Sequence, residues 1–334
     1  MIKKYSILFT FLVIILSWSV SAQESDPWSR VDVSSISRSR IQTRVSLDKF
    51  SGFFLNRGAI ERDLLDVPSR RSASKRQGRL MKFPDKNGNT ITFRVREAPV
   101  MSRELARKFP NNRSYEGAAM DGSGRKIRFS LNKKGLNAVI TGPGYGVQII
   151  EPLTRDKEVY RVYDRSELSI SDAFTCIVDE ISVAQKEEVQ EKLFGDLQLR
   201  TYRLAVATTG EYSAFHIGLE DAGSATEEEQ IAIVMSAVTT AITRVNAVLE
   251  NDLAITMELI ANNDDIVYLN PATDPYTNND GSTMLGENQS NLDAVIGSEN
   301  YDIGHVFSTD GGGVARLGGI CGTGEKARGT TGLG

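Results

Sequence analysis

Hydrophobic residues change their spacing once along this chain, and that change limits what the chain can fold into. Between Leu80 and Ile150 they alternate with polar residues: Ile91-Thr92-Phe93-Arg94-Val95, Lys126-Ile127-Arg128-Phe129-Ser130-Leu131, Leu136-Asn137-Ala138-Val139-Ile140 and Val147-Gln148-Ile149-Ile150. Asn87-Gly88-Asn89, Asp121-Gly122-Ser123-Gly124 and Gly142-Pro143-Gly144 punctuate them with turn chemistry. A period of two broken by such turns predicts a mainly antiparallel β region. From Thr226 the spacing becomes helical. Ile231, Val234, Met235, Val238, Ile242, Val245 and Leu249 share one side of a helix that opens with a capping box formed by Thr226 and Glu229.

Strands are expected on either side of that helix, over Leu199 to Ala207 and over Leu253 to Ile260, with another around Ile303 to Ser308. A polar loop carrying Asn270-Pro271 and Asn278-Asn279-Asp280-Gly281 separates the last two. Strand, long helix, strand, strand is an α/β order in which the helix crosses over between parallel strands. Residues 23–80 are polar and rich in Arg and Ser, and Ser69 to Arg76 reads as an exposed loop or as a processing site. Residues 181–198 are highly charged without a wide apolar face, an exposed and partly helical connection. The fold class is therefore α+β: a β-rich domain over 23–180, a charged connection over 181–198, and an α/β region over 199–334.

Met1 to Ala22 has the form of a leader. Lys3 and Lys4 precede an apolar run from Ile7 to Val20, and Val20-Ser21-Ala22 has the small-x-small pattern cut by signal peptidase. The run is about 14 residues, short of the roughly 20 that cross a bilayer. Export, cleavage after Ala22 and no stable membrane span in the mature protein are the expectations.

Net charge is divided unevenly. Residues 23–170 hold 29 basic and 17 acidic side chains, a balance of +12, whereas residues 171–334 hold 8 and 26, a balance of −18. Regions of opposite sign attract if they share an interface. The basic charges are scattered among acids rather than gathered into an aromatic-interleaved stripe, and an exported chain rarely meets nucleic acid, so nucleic acid is not expected as a partner. Two cysteines, Cys176 and Cys321, are too few for a disulfide scaffold. They could pair with each other, pair elsewhere or stay free.

Gly311-Gly312-Gly313-Val314-Ala315-Arg316-Leu317-Gly318-Gly319 is too glycine-rich for a buried strand. Glycine lets another backbone come close, so an edge strand or a substrate-facing loop is expected. A phosphate cradle would need a following Gly-Lys-Ser/Thr, which is absent.

The second half resembles the start of reprolysin-like (adamalysin-type) metzincin catalytic domains, especially those of bacterial secreted proteins. The resemblance is carried by Tyr202-Arg203-Leu204-Ala205-Val206-Ala207-Thr208-Thr209-Gly210-Glu211-Tyr212, by the helix end Arg244-Val245-Asn246-Ala247-Val248-Leu249-Glu250, and by Tyr301-Asp302-Ile303-Gly304-His305-Val306-Phe307 followed by Gly313-Val314-Ala315 and Cys321. The first half looks like the family's propeptide in Phe109-Pro110-Asn111-Asn112-Arg113-Ser114-Tyr115-Glu116-Gly117, Lys126-Ile127-Arg128-Phe129-Ser130 and Tyr160-Arg161-Val162-Tyr163.

The resemblance implies the precursor of a secreted zinc metalloendopeptidase, kept latent by contact between propeptide and catalytic domain and acting on protein or peptide substrates. Zinc in such enzymes is held by H-E-x-x-H-x-x-G-x-x-H, whose glutamate is the general base. This sequence has two histidines, His216 and His305, neither at metal-ligand spacing. The resemblance places the zinc helix beyond residue 334, so the chain is expected to be an incomplete catalytic domain, inactive alone, with no catalytic residue or zinc ligand of its own. It maps the substrate-binding edge strand to Gly312, Gly313, Val314, Ala315, Arg316 and Leu317, which would hold an extended peptide by β-augmentation. It also raises Cys176 as a latency ligand, although the glycine expected after such a cysteine is missing; a disulfide or a structural thiol stays open. The competing reading is a non-catalytic exported binding protein with a degenerate metzincin-like domain.

Overall fold

A computed structural model describes residues 26–42, 47, 49–72, 77–168, 176–179 and 198–332. The leader, Met1 to Ala22, and residues 181–197 of the charged connection lie outside the described residues. The fold is mixed α and β, with one large antiparallel sheet and one smaller mixed sheet.

The alternating segments build the first sheet. Its elements are β1 (Trp28–Val31), β2 (Ser51–Leu55), α1 (Arg57–Leu64), β3 (Arg79–Pro84), β4 (Thr90–Glu97), α2 (Arg103–Lys108), β5 (Arg113–Ala119), β6 (Lys126–Asn132), β7 (Gly135–Gly142), β8 (Gly146–Pro152) and β9 (Val159–Asp164). Antiparallel pairing gives the strand order β1-β2-β9-β8-β7-β6-β5-β4-β3. The polar, Arg- and Ser-rich stretch over residues 23–80 contributes β1, β2 and α1. Phe53 and Leu55 of β2, with Ile60 and Leu64 of α1, join Phe83, Phe93, Phe129 and Tyr160 in one apolar core.

The remaining elements are β10 (Cys176–Asp179), β11 (Arg200–Thr208), α3 (Gly210–Leu219), α4 (Glu227–Asp252), β12 (Ile255–Leu259), α5 (Gly281–Val295), β13 (Ile303–Phe307), β14 (Gly313–Arg316) and β15 (Gly329–Thr331). They form a sheet of order β10-β14-β15-β13-β11-β12. As expected of a crossover, α4 joins the parallel pair β11 and β12, and β13 runs parallel to β11 on its other side. The capping box at Thr226 and Glu229 is formed in both directions. The polar loop expected after Asn270 is in part the helix α5, capped by Asp280, whose side chain accepts from the Thr283 amide.

By length and composition α4 could cross a membrane, with 26 residues and a mean hydropathy of 1.6 over its most apolar 18-residue window. It is instead buried between the two sheets. Val234, Met235, Val238 and Ile242 pack on Leu204, Val206 and Leu259 of the second sheet. Its other face meets β6 and β7. There the alternation of β6 acquires a second meaning: Ile127, Phe129 and Leu131 enter the apolar core, while the intervening polar residues face α4 rather than solvent. Ser130 Oγ lies 3.2 Å from Thr240 Oγ1, and Asn132 Nδ2 donates to the Ser236 carbonyl at 3.1 Å and to Thr240 Oγ1 at 3.0 Å.

Ion pairs edge this polar seam. Arg70 binds Glu116 at 3.0 Å and Glu250 at 2.8 Å, Arg71 binds Glu258, Lys108 binds Asp264 at 2.8 Å, and Lys157 binds Glu220. Arg244 reaches the other way, to Glu151 at 2.8 Å. Basic residues of the first half thus meet acidic residues of the second. Arg70 and Arg71 are interface clamps, which corrects the reading of their segment as a purely solvated loop. Arg128 is buried beneath them, 3.6 Å from Glu250. Burial, partly offset by Glu250 and Glu116, pushes its guanidinium down to about 10. Burial alone would raise the Glu250 carboxyl, but Arg128 and Arg70 outweigh it and hold the group below its ordinary value.

A carboxylate whose pKa is lower in the folded than in the unfolded state contributes stability above its unfolded pKa and loses it as pH falls through the folded pKa. Glu250→Ala removes the counter-charge of a buried arginine, which costs about 3 kcal/mol. Urea unfolding at pH 7 should show a loss of that size. Wild-type stability should fall as pH drops below about 4.5, the unperturbed glutamate value, and the variant's acid dependence should be shallower.

Candidate substrate edge of the second sheet

The strand β14 is held from behind by α5. Buried amides on that helix grip the chain leading into β15: Asn288 Nδ2 donates to the Ala327 carbonyl at 2.6 Å, and Gln289 Oε1 accepts from the Ala327 amide at 2.8 Å. From there β15 pairs antiparallel with β14, Gly313 opposite Thr331 and Ala315 opposite Gly329. The glycines before β14 serve close packing. Gly311 and Gly312 have φ of 81° and 67°, and a Cβ on Gly281, the first residue of α5, would overlap the Gly311 carbonyl oxygen. The backbone brought close by these glycines is therefore the start of α5.

Of the residues mapped to a substrate edge, Gly313, Val314, Ala315 and Arg316 form the strand, while Gly312 and Leu317 flank it. Arg316 is tied to Glu325, which also binds Arg328 at 3.1 Å. The outer side of β14 is occupied by β10, parallel and in register, with Cys176 opposite Gly313, Ile177 opposite Val314, Val178 opposite Ala315 and Asp179 opposite Arg316. In this fold β14 is an inner strand and β10 the edge. The spacing of Cys176 gave no sign of this pairing, because a four-residue strand carries too little alternation to read. Cys321 is a free, exposed thiol.

Neither histidine joins a metal-ligand cluster, and among the described residues no group of three or more His, Cys, Asp or Glu could hold a metal ion. His216 on α3 stacks edge-on against Tyr212, with Nδ1 3.2 Å from Lys134 Nζ. His305 on β13 has Nε2 2.8 Å from Thr331 Oγ1, across the β13-β15 pair. Burial pushes its imidazole down to about 4. The residues described here therefore do not fit a zinc site.

Residues 235–334, from the middle of α4 through α5 to β15 and beyond, match the family model of the reprolysin-like metallopeptidases, M12B. No curated protein matches the chain. The reprolysin-like stretch contains β14 and the helix that supports it, but neither β10 nor any residue of the first sheet.

His305 should stay neutral far below the pH at which a free imidazole titrates. With only two histidines, the ring signals are readily assigned by proton NMR. The His305 resonance is expected to hold constant from pH 8 to about 5.5; a midpoint near the unperturbed 6.5 would contradict the desolvation of this half-buried ring between β13 and β15.

Proposed function

We propose that this chain is the precursor form of an exported zinc metalloendopeptidase, in which the first sheet is a propeptide that holds the second sheet latent. The observation that carries this reading is β10 lying along β14. In a peptidase that binds an extended substrate by β-augmentation, that side of the strand is where the substrate backbone adds. A chain segment from before the charged connection fills it here, so peptide binding and β10 binding exclude each other.

The seam against α4 supports the same reading. It is rich in hydrogen bonds and ion pairs, as befits surfaces that separate after cleavage, since polar groups on both faces can return to water. On this reading the chain divides into a leader to Ala22, a propeptide over 23–180, a connection over 181–198 and a catalytic segment from 199. The leader supports export and an extracellular location. Substrates are proteins or peptides, and zinc is the cofactor that the family implies. Two histidines cannot supply the three that its motif requires, so on this reading the chain alone is inactive and Cys176 is a candidate latency ligand for zinc held elsewhere.

Two experiments test this. A single cut of the full chain between residues 180 and 198 should leave two fragments that co-elute at low ionic strength and separate near 1 M salt, where the Debye length is about 3 Å; fragments that part at low salt would rule out a latent pair. The purified chain should retain no stoichiometric zinc after gel filtration and should not hydrolyse a denatured protein substrate. Zinc retained at one per chain, or hydrolysis, would show that the ligands lie within these residues and would overturn the assignment of inactivity.

A further inference from the structure

At the β12 end of the second sheet, opposite β14, the first half forms a cavity of about 450 Å³ around α2. Arginines dominate its charge, with Arg71, Arg103, Arg107 and Arg113 against Glu97. Arg71 is engaged by Glu258 and Arg113 by Glu97. The side chains of Arg103 and Arg107 have no ion-pair or hydrogen-bond partner among the described residues. They stand one turn apart on α2, where like charges repel in the absence of an intervening anion. On the cavity wall, Asn112 is only 6% exposed and its Nδ2 has no hydrogen-bond partner. Beside these groups Phe109 and Pro110 give the cavity an apolar wall.

A second cavity, about 390 Å³, lies between the first sheet and α3 with α4. There Glu151 binds Arg161 and Arg244, and Glu220 binds Lys157. Its charges are already answered, whereas those on α2 are not.

We propose that the α2 cavity binds an acidic peptide segment. A glutamate or aspartate carboxylate would lie between the Arg103 and Arg107 guanidinium groups, whose fork geometry suits a carboxylate. A neighbouring apolar side chain would rest on Phe109 and Pro110. The apolar wall favours a peptide over a bare oxyanion, and the inference is independent of the proposed peptidase function.

Isothermal titration of the full chain at 0.15 M salt tests it, with a terminally blocked Leu-Glu-Leu-Glu peptide, its Leu-Gln-Leu-Gln counterpart and inorganic phosphate as probes. Saturable one-to-one binding of the glutamate peptide is expected. The glutamine peptide and the Arg103→Ala/Arg107→Ala variant should each bind at least about tenfold more weakly, the effect of losing a charge-assisted hydrogen bond. Both arginines are exposed, so the variant should fold, which circular dichroism checks. Lys108→Ala removes a charge from the same helix outside the cavity and should leave affinity unchanged. Absent or non-saturable binding, equal binding of the two peptides, or equal losses from Lys108→Ala would overturn the proposal. Phosphate binding as tightly as the peptide would reduce the site to a bare oxyanion receptor and overturn the peptide assignment.

Discussion

An open sheet edge presents a row of unpaired amide and carbonyl groups that will pair with any extended chain. The second sheet has two such sides, and both are covered by residues that precede the charged connection. Along β12, the Leu259 amide donates to the Val100 carbonyl at 2.8 Å and the Ser102 amide to the Leu259 carbonyl at 2.9 Å. Val100, Met101 and Leu105 then enter the apolar cluster beneath α4. Along β14, the cover is β10. Residues that precede the charged connection thus pair with the second sheet at both ends.

The two covers differ in what accompanies them. At β12 the backbone bonds are backed by apolar burial and by the Arg70 and Arg71 clamps, so that end is anchored. The seam along α4 depends on matched polar groups, each hydrogen bond contributing about 1 kcal/mol net and costing more if one partner is left buried alone. Arg128 shows the tension: deep in the seam, its Nε and Nη2 lack hydrogen-bond partners, and the flanking carboxylates offset its desolvation. Such a seam specifies one docking arrangement more strongly than it stabilises it.

The backbone of this arrangement was legible where one period ran long enough. Four alternating segments became β4, β6, β7 and β8, and the capping box with its apolar side became α4. The polar partners of that alternation were not legible as an interface. A serine or asparagine opposite the core reads as solvent-facing, and only the packing of α4 shows Ser130 and Asn132 buried. The helix α5 was missed because its inward face mixes Met284, Leu285 and Leu292 with the amides Asn288 and Gln289, which blurs the apolar side. Those amides are the residues that position Ala327 and, through β15, the candidate site. The glycines pointed to a close backbone approach at Gly311, but sequence did not identify α5 as the approaching element, nor β10 as the neighbour of β14.

On the proposed reading, the parallel pairing of β10 explains how a short strand could both block β14 and leave it. Four residues of parallel ladder are a weak attachment, slightly weaker per residue than antiparallel pairing. While the connection is intact, however, β10 is held near β14 at an effective concentration on the order of millimolar. A substrate peptide must outcompete that tether. One cut between residues 180 and 198 removes the tether from the catalytic segment without altering a single contact in the ladder. The affinity that sufficed within one chain then has to compete at the free concentration of the released half, and the anchored β12 end, rather than β10, decides how long the two remain together.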